Sequence, residues 1–221
     1  MKNIKIIILT VTISAIIMPI SGFAFSNGDV QFWNTESIET NVNDKLKIKV
    51  EEELRFGGDI SELYYEHTDA GFNYNVTKGL DFGLNYRQIC EKKDGEWKNE
   101  CRPHANVIFK GDWQGVKISD RNRFELRCPE DKDDKWRYRN KLSVTLPWKW
   151  TSFDIQPYLA DEVFVDFHGD RITRNRLYSG IKAKLMEHLK SDIFYLCEFN
   201  KSSDKVWTYN NVIGLKIKLD F

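Results

Sequence analysis

The stretch VIGLKIKLDF, residues 212–221, alternates: Leu215, Ile217, Leu219 and Phe221 are apolar, and Lys216, Lys218 and Asp220 lie between them. Successive side chains of an extended chain point to opposite faces, so this is a strand with one apolar and one charged face. An aromatic residue at the end of such a strand is how many outer-membrane barrels close. The other end agrees. Residues 1–24 carry Lys2 and Lys5, then an apolar run, then small residues at Gly22 and Ala24, which reads as a secretory signal cleaved after Ala24. Together the two ends predict an all-β fold: a transmembrane, antiparallel, up-and-down β-barrel in the bacterial outer membrane. Its expected partners are outer-membrane lipid and the barrel assembly machinery, which would read the strand ending at Phe221.

Composition fits this reading. With 221 residues, one domain is the natural count. Mean hydropathy is −0.52, which excludes a bundle of membrane helices. Past residue 24 no apolar run approaches the roughly 20 residues a spanning helix needs. A barrel escapes that limit because only every second residue meets lipid. The formal charge is zero, and becomes −2 when Lys2 and Lys5 leave with the signal. A nucleic-acid binder would carry a clear basic excess.

Working back from the closing strand, period-two segments recur between turn residues. In residues 46–56, Leu46, Ile48, Val50, Leu54 and Phe56 share one face, against Lys47, Lys49, Glu51, Glu53 and Arg55. The same alternation runs through 64–76, 80–90, 101–110, 116–128, 136–146, 153–167, 174–185, 193–199 and the last strand from about Trp207. That is about ten strands over residues 46–221, with twelve as the rival count. Residues 25–45 form an N-terminal segment. Within it DVQFWNTESIET, residues 29–40, also reads as a strand, but would make the count odd where bacterial single-chain barrels are usually even. We therefore expect it in or under the barrel. Trp113, Trp148 and Trp150 fall at one rim and Trp136 and Trp207 at the other, as in the aromatic girdles of membrane barrels.

Four cysteines in an exported chain permit bridges. Cys90 and Cys101 flank EKKDGEWKNE, and a disulfide across that hairpin neck is expected. The spacing leaves the pairing of Cys128 and Cys197 open.

The ordered stretches EEELRF (51–56), LYYEHTDAGFNY (63–74), SDRNRFELR (119–127), WRYRNKLSVTLP (136–147), PYLADEVFVDF (157–167) and RNRLYSGI (174–181), with the closing VIGLKIKLDF, resemble the outer-membrane proteins grouped as domain of unknown function 2490. The resemblance implies an outer-membrane barrel. It implies no activity, catalytic residue or cofactor.

The inward parity is rich in charge. Glu51, Glu53, Asp69 and Asp81 face Arg55, Arg87, Arg102, Arg121, Arg123, Arg137, Arg139, Arg174 and Arg176, with His104 among them. A barrel of eight or so strands is filled by its own side chains, and open aqueous channels appear nearer sixteen. A salt-bridge network filling the lumen is the first expectation. A narrow, anion-leaning passage is the functional one, because basic linings favour anions. Asp120, Asn122, Asn140, Asp161 and Asn175 fall on the outward parity, where polar groups are costly in lipid. They mark an oligomer contact or headgroup site, unless they sit near the membrane interface or a local β-bulge shifts their parity.

Catalysis has one weak candidate pair, His67 and Asp69, two apart on one strand face with His104 nearby. No serine has a nucleophile signature, although Ser119 and Ser143 point inward. His67, His104, His168 and His188 lack paired metal-ligand spacing, so no metal or other cofactor is expected. The preferred reading is a non-enzymatic structural barrel or narrow pore. The alternatives are a barrel hydrolase or lipid-modifying enzyme, and a surface-binding barrel acting through the disulfide-tied loop 91–100.

Overall fold

Alternation of apolar and polar residues builds eleven strands that close on themselves. The structure, a computed structural model, describes residues 27–148, 151–167, 172–202 and 204–221. The expected signal sequence, Trp150 and His168 lie outside the described residues. The strands are β1 (Val30–Asn41), β2 (Leu46–Gly57), β3 (Glu62–Thr77), β4 (Leu80–Lys93), β5 (Glu96–Trp113), β6 (Val116–Pro129), β7 (Lys135–Thr145), β8 (Gln156–Asp166), β9 (Ile172–Met186), β10 (Leu189–Lys201) and β11 (Trp207–Asp220). Each pairs antiparallel with its neighbours in sequence, and β1 joins β11 to close the barrel.

The count corrects the expectation of ten strands or twelve. The segment expected in or under the barrel is β1, a full wall strand. It runs antiparallel to β2 and parallel to β11, from Val30 opposite Asn211 to Glu39 opposite Asp220. The parallel seam follows from arithmetic. In an up-and-down meander with an odd number of strands, the first and last strands point the same way. The Phe221 amide donates to the Glu39 carbonyl, and the Asn41 amide to that of Phe221, so the chain's last residue is tied into the first strand.

Two-residue turns carry four of the hairpins. In Asp94-Gly95 and Gln114-Gly115 both residues have positive φ (52° and 85°, 52° and 83°), the geometry of a type I′ turn, which matches the twist of the flanking strands. The first turn overturns the disulfide-tied loop. Residues 91–93 and 96–100 continue the ladder, with Lys93 opposite Glu96. A two-residue turn places Cys90 opposite Asn99, so Cys90 and Cys101 are offset on the same face and are not bonded. All four cysteines are free thiols, and Cys101 lies directly opposite Cys128 on β6.

The outer face is apolar over most of its area: Val50, Phe72, Leu84, Phe109, Phe124, Leu159, Leu177 and Ile213 are all exposed on it. The buried side chains point into the lumen. One sector of the inner wall, from β8 to β1, is apolar and aromatic: Trp33, Tyr158, Ala160, Tyr178, Phe194, Leu196 and Val212. Gly214 and Gly180 make room for it, because a Cβ at either would collide with Phe194.

Candidate functional site: the charged lumen

The lumen divides into two halves. The rim that carries Phe221 is termed the C-terminal rim, and the opposite one the far rim. Towards the far rim the interior is filled. Phe164 is 1% exposed. The guanidinium carbons of Arg139, Arg176, Arg137 and Arg174 lie 4.5, 4.8, 5.3 and 5.6 Å from its ring centre. Three carboxylates hold these arginines. Glu125, with no exposed surface, accepts from Arg137 Nη2 at 2.6 Å and Arg139 Nη1 at 2.7 Å. Glu162 accepts from Arg139 Nη2 and Arg121 Nη2, both at 2.7 Å, and from the Tyr178 hydroxyl at 3.1 Å. Glu198 accepts from Arg176 Nε at 2.5 Å. Beside them Arg55 lies between the Trp33 and Tyr65 rings, at 3.7 and 4.1 Å, and donates to Glu53 at 2.7 Å. Glu100 accepts from Arg102 and Arg127. Most of these ion pairs lie along one strand or join neighbouring strands, and Arg121–Glu162 reaches across β7 from β6 to β8.

Paired buried charges balance their own desolvation only when every lone pair and proton finds a partner. This network comes close to that, and it fills the space a solute would need.

The structure places Glu51, Glu53, Arg55, Arg87, Arg102, His104, Arg121, Arg123, Arg137, Arg139, Arg174 and Arg176 on the inner wall. It adds residues that alternation alone did not single out: Glu162, Phe164 and Glu198, which anchor the plug, and Trp33, which was expected off the wall. Their inward parity was visible in the sequence, but their convergence was not.

His67 and Asp69 are both buried on the inner face of β3. They do not pair with each other as a catalytic couple would. His67 Nε2 is 3.4 Å from Glu51, its Nδ1 is 3.7 Å from Glu53, and Asp69 takes Arg87 Nε at 2.8 Å with His104 Nε2 at 3.5 Å. Ser119 and Ser143 face each other on β6 and β7. His104 pairs with Glu125, six residues further along β6 than Ser119, roughly 20 Å of extended chain. Ligand atoms of Glu51, His67 and Asp69 gather within 4.8 Å of one another. Arg87 already supplies the positive charge there, 2.8 Å from Asp69 and 3.6 Å from Glu51.

Towards the C-terminal rim the lumen opens into a cavity of about 640 Å³. Eight lysines and six arginines line it, against six carboxylates. Lys49, Lys190 and Lys218 are paired, with Glu51, Asp220 and Glu39. Side chains become more exposed towards this rim: Arg139 is 7% exposed, Lys49 28% and Lys190 47%. The inner end of the cavity is lined by plug residues, Arg55, Arg139 and Arg176 among them, and its outer end by the more exposed lysines.

On the outer face, β6 and β7 pair without any register shift from Lys117–Thr145 to Arg127–Lys135. No bulge diverts Asp120, Asn122 or Asn140, and they do point outward. They bond one another: Asn140 Nδ2 donates to Asp120 at 2.6 Å and to Asn122 at 3.2 Å, and Asn122 Nδ2 donates to Asp120 at 3.1 Å. Asn175 donates likewise to Asp161 at 2.6 Å on the next strand pair.

Fold and interior define a class: a closed eleven-stranded β-barrel with an ion-paired plug and a cationic chamber. The model of the family described as protein of unknown function (DUF2490) matches residues 30–210, and the chain belongs to that family. No curated protein and no solved structure matches it.

Proposed function

We propose that this chain is an outer-membrane β-barrel whose lumen is an anion-binding chamber rather than a through passage. The observation that carries the reading is the cavity, backed by the ion-paired plug and lined by a large excess of lysine and arginine over carboxylate. Membrane residence is supported by the apolar outer face and by exposed tryptophans at the strand ends, Trp113 and Trp148 at one rim and Trp136 and Trp207 at the other. A hydrophilic lumen enclosed by such a wall suits a small barrel that binds rather than conducts.

The test is a planar-bilayer recording on the refolded protein, with orthophosphate binding measured calorimetrically in detergent. A silent barrel that binds phosphate supports the chamber. Discrete anion-selective steps would favour the narrow pore instead, with Arg121 and Arg139 as its first mutants. A silent barrel that binds no anion would leave a purely structural role.

A further inference from the structure

Lysines gathered in one space need counter-charge. Of the eight that line the chamber, Lys117, Lys141, Lys182, Lys184 and Lys216 have no carboxylate within 4 Å among the described residues. Three of them rest on aromatic rings instead. Lys141 Nζ lies 3.5 Å from the Tyr178 ring centre, Lys182 Nζ 4.6 Å from that of Tyr158, and Lys216 Nζ 5.2 Å from that of Phe194. Lys182 also donates to Thr145 at 3.0 Å. A ring face attracts an ammonium by its quadrupole, but it carries no net charge and leaves the mutual repulsion of the lysines in place.

The nearby acidic groups do not balance these lysines. Glu162 holds Arg121 and Arg139. Asp192 lines the same cavity with no lysine nitrogen inside 4 Å, and its buried Oδ1 has no hydrogen-bond partner, so a single carboxylate stands against five lysines there. Arg121 uses Nη2 on Glu162 and keeps a buried Nε without a hydrogen-bond partner. Donors on β6, β7, β9 and β11 therefore converge on one space in which positive charge exceeds negative, with Asp192 between Lys182 and Lys216 in the ladder. A single monovalent anion would satisfy one or two of them. Several anionic centres at short spacing would engage the set, through charge-assisted bonds that gain strength in a partly dehydrated cavity.

Resting on the anion-chamber reading above, we infer that the chamber takes a compact polyanion with two or more phosphoryl groups, held by Lys117, Lys141, Lys182, Lys184, Lys216 and Arg121. Such groups occur on free polyphosphates and on lipids with more than one phosphate. The chamber's outer end, lined by the more exposed lysines, suits either source.

The experiment is calorimetric titration of the intact detergent-solubilised protein with sodium orthophosphate, with tripolyphosphate and with cardiolipin in mixed micelles. Tripolyphosphate or cardiolipin should bind at least about tenfold more tightly than orthophosphate. The Lys141→Gln, Lys216→Gln double variant should lose that margin, and the Lys→Arg pair at the same positions should keep it. A margin with tripolyphosphate identifies a free ligand, and one with cardiolipin alone a lipid. If the double variant does not fold, Lys117→Gln with Lys184→Gln, nearer the mouth, replaces it. Equal affinity for one phosphate and three, or a margin that survives loss of these lysines, overturns the inference and leaves the simpler anion chamber standing. Failure of every anion to bind removes both.

Discussion

Glu125 shows how much can rest on one side chain. It is fully buried and holds Arg137 and Arg139, so its removal leaves Arg137 deep in the lumen without its carboxylate and Arg139 with Glu162 alone. Breaking a buried pair from one side costs about 3–5 kcal/mol. Glu125→Ala should therefore lower the unfolding free energy of the barrel by that much, read from the shift in urea midpoint, while loss of the longer Arg174–Glu198 contact at 3.6 Å should be far milder. The cysteines give a second residue-scale prediction. Directly opposed residues on antiparallel strands have Cα atoms about 4.5–5.5 Å apart, inside the range a disulfide spans. Diagonal neighbours lie about 7–8 Å apart. Mild oxidation should join Cys101 to Cys128 and leave Cys90 free, which peptide mass mapping would show; a Cys90–Cys101 linkage would contradict the hairpin register. At this scale alternation told which face a residue takes. Partners were hidden, because Arg139 meets Glu162 diagonally on the neighbouring strand, which takes the register, and Arg121 meets Glu162 across the intervening β7, which takes the curvature of the wall.

Among the elements, β1 is the instructive one. Its inward residues include Trp33, and its outward residues include Asn34 and Glu36, which bond each other at 3.3 Å. The segment read as a strand, but an eleventh strand makes the count odd, and the usual even count of single-chain barrels left it outside the wall. What places it there is the open ladder of β2 and β11, which would otherwise be two unpaired edges. A proline within β1, such as Thr35→Pro, removes a ladder donor from a strand paired on both sides. It should prevent the heat-modifiable folded form seen on unboiled gels, where the same change in the following turn at Asp44 should not. On β11, Gly214→Ala sets a methyl group against the Phe194 ring. Overpacking of this kind costs about 1–3 kcal/mol and should be read as a lowered midpoint with the slope unchanged.

For the whole molecule, the plug and the chamber make opposite demands on one lumen. Replacing Phe164 and Arg139 together by alanine removes the centre of the plug while leaving the wall intact. In a planar bilayer the double variant should conduct where the parent is silent. Equal silence in both would mean that the remaining arginines still close the lumen. The sequence by itself determined the class of fold, the inward placement of the charged residues and the apolar outer face. Each of these follows from local alternation, which a strand obeys wherever it ends up. Tertiary structure decided the count of eleven, the parallel seam between β1 and β11, the pairing of Cys101 with Cys128, and the division of the lumen into plug and chamber. These depend on which strands become neighbours and which side chains meet across the interior, and closure of the barrel sets both.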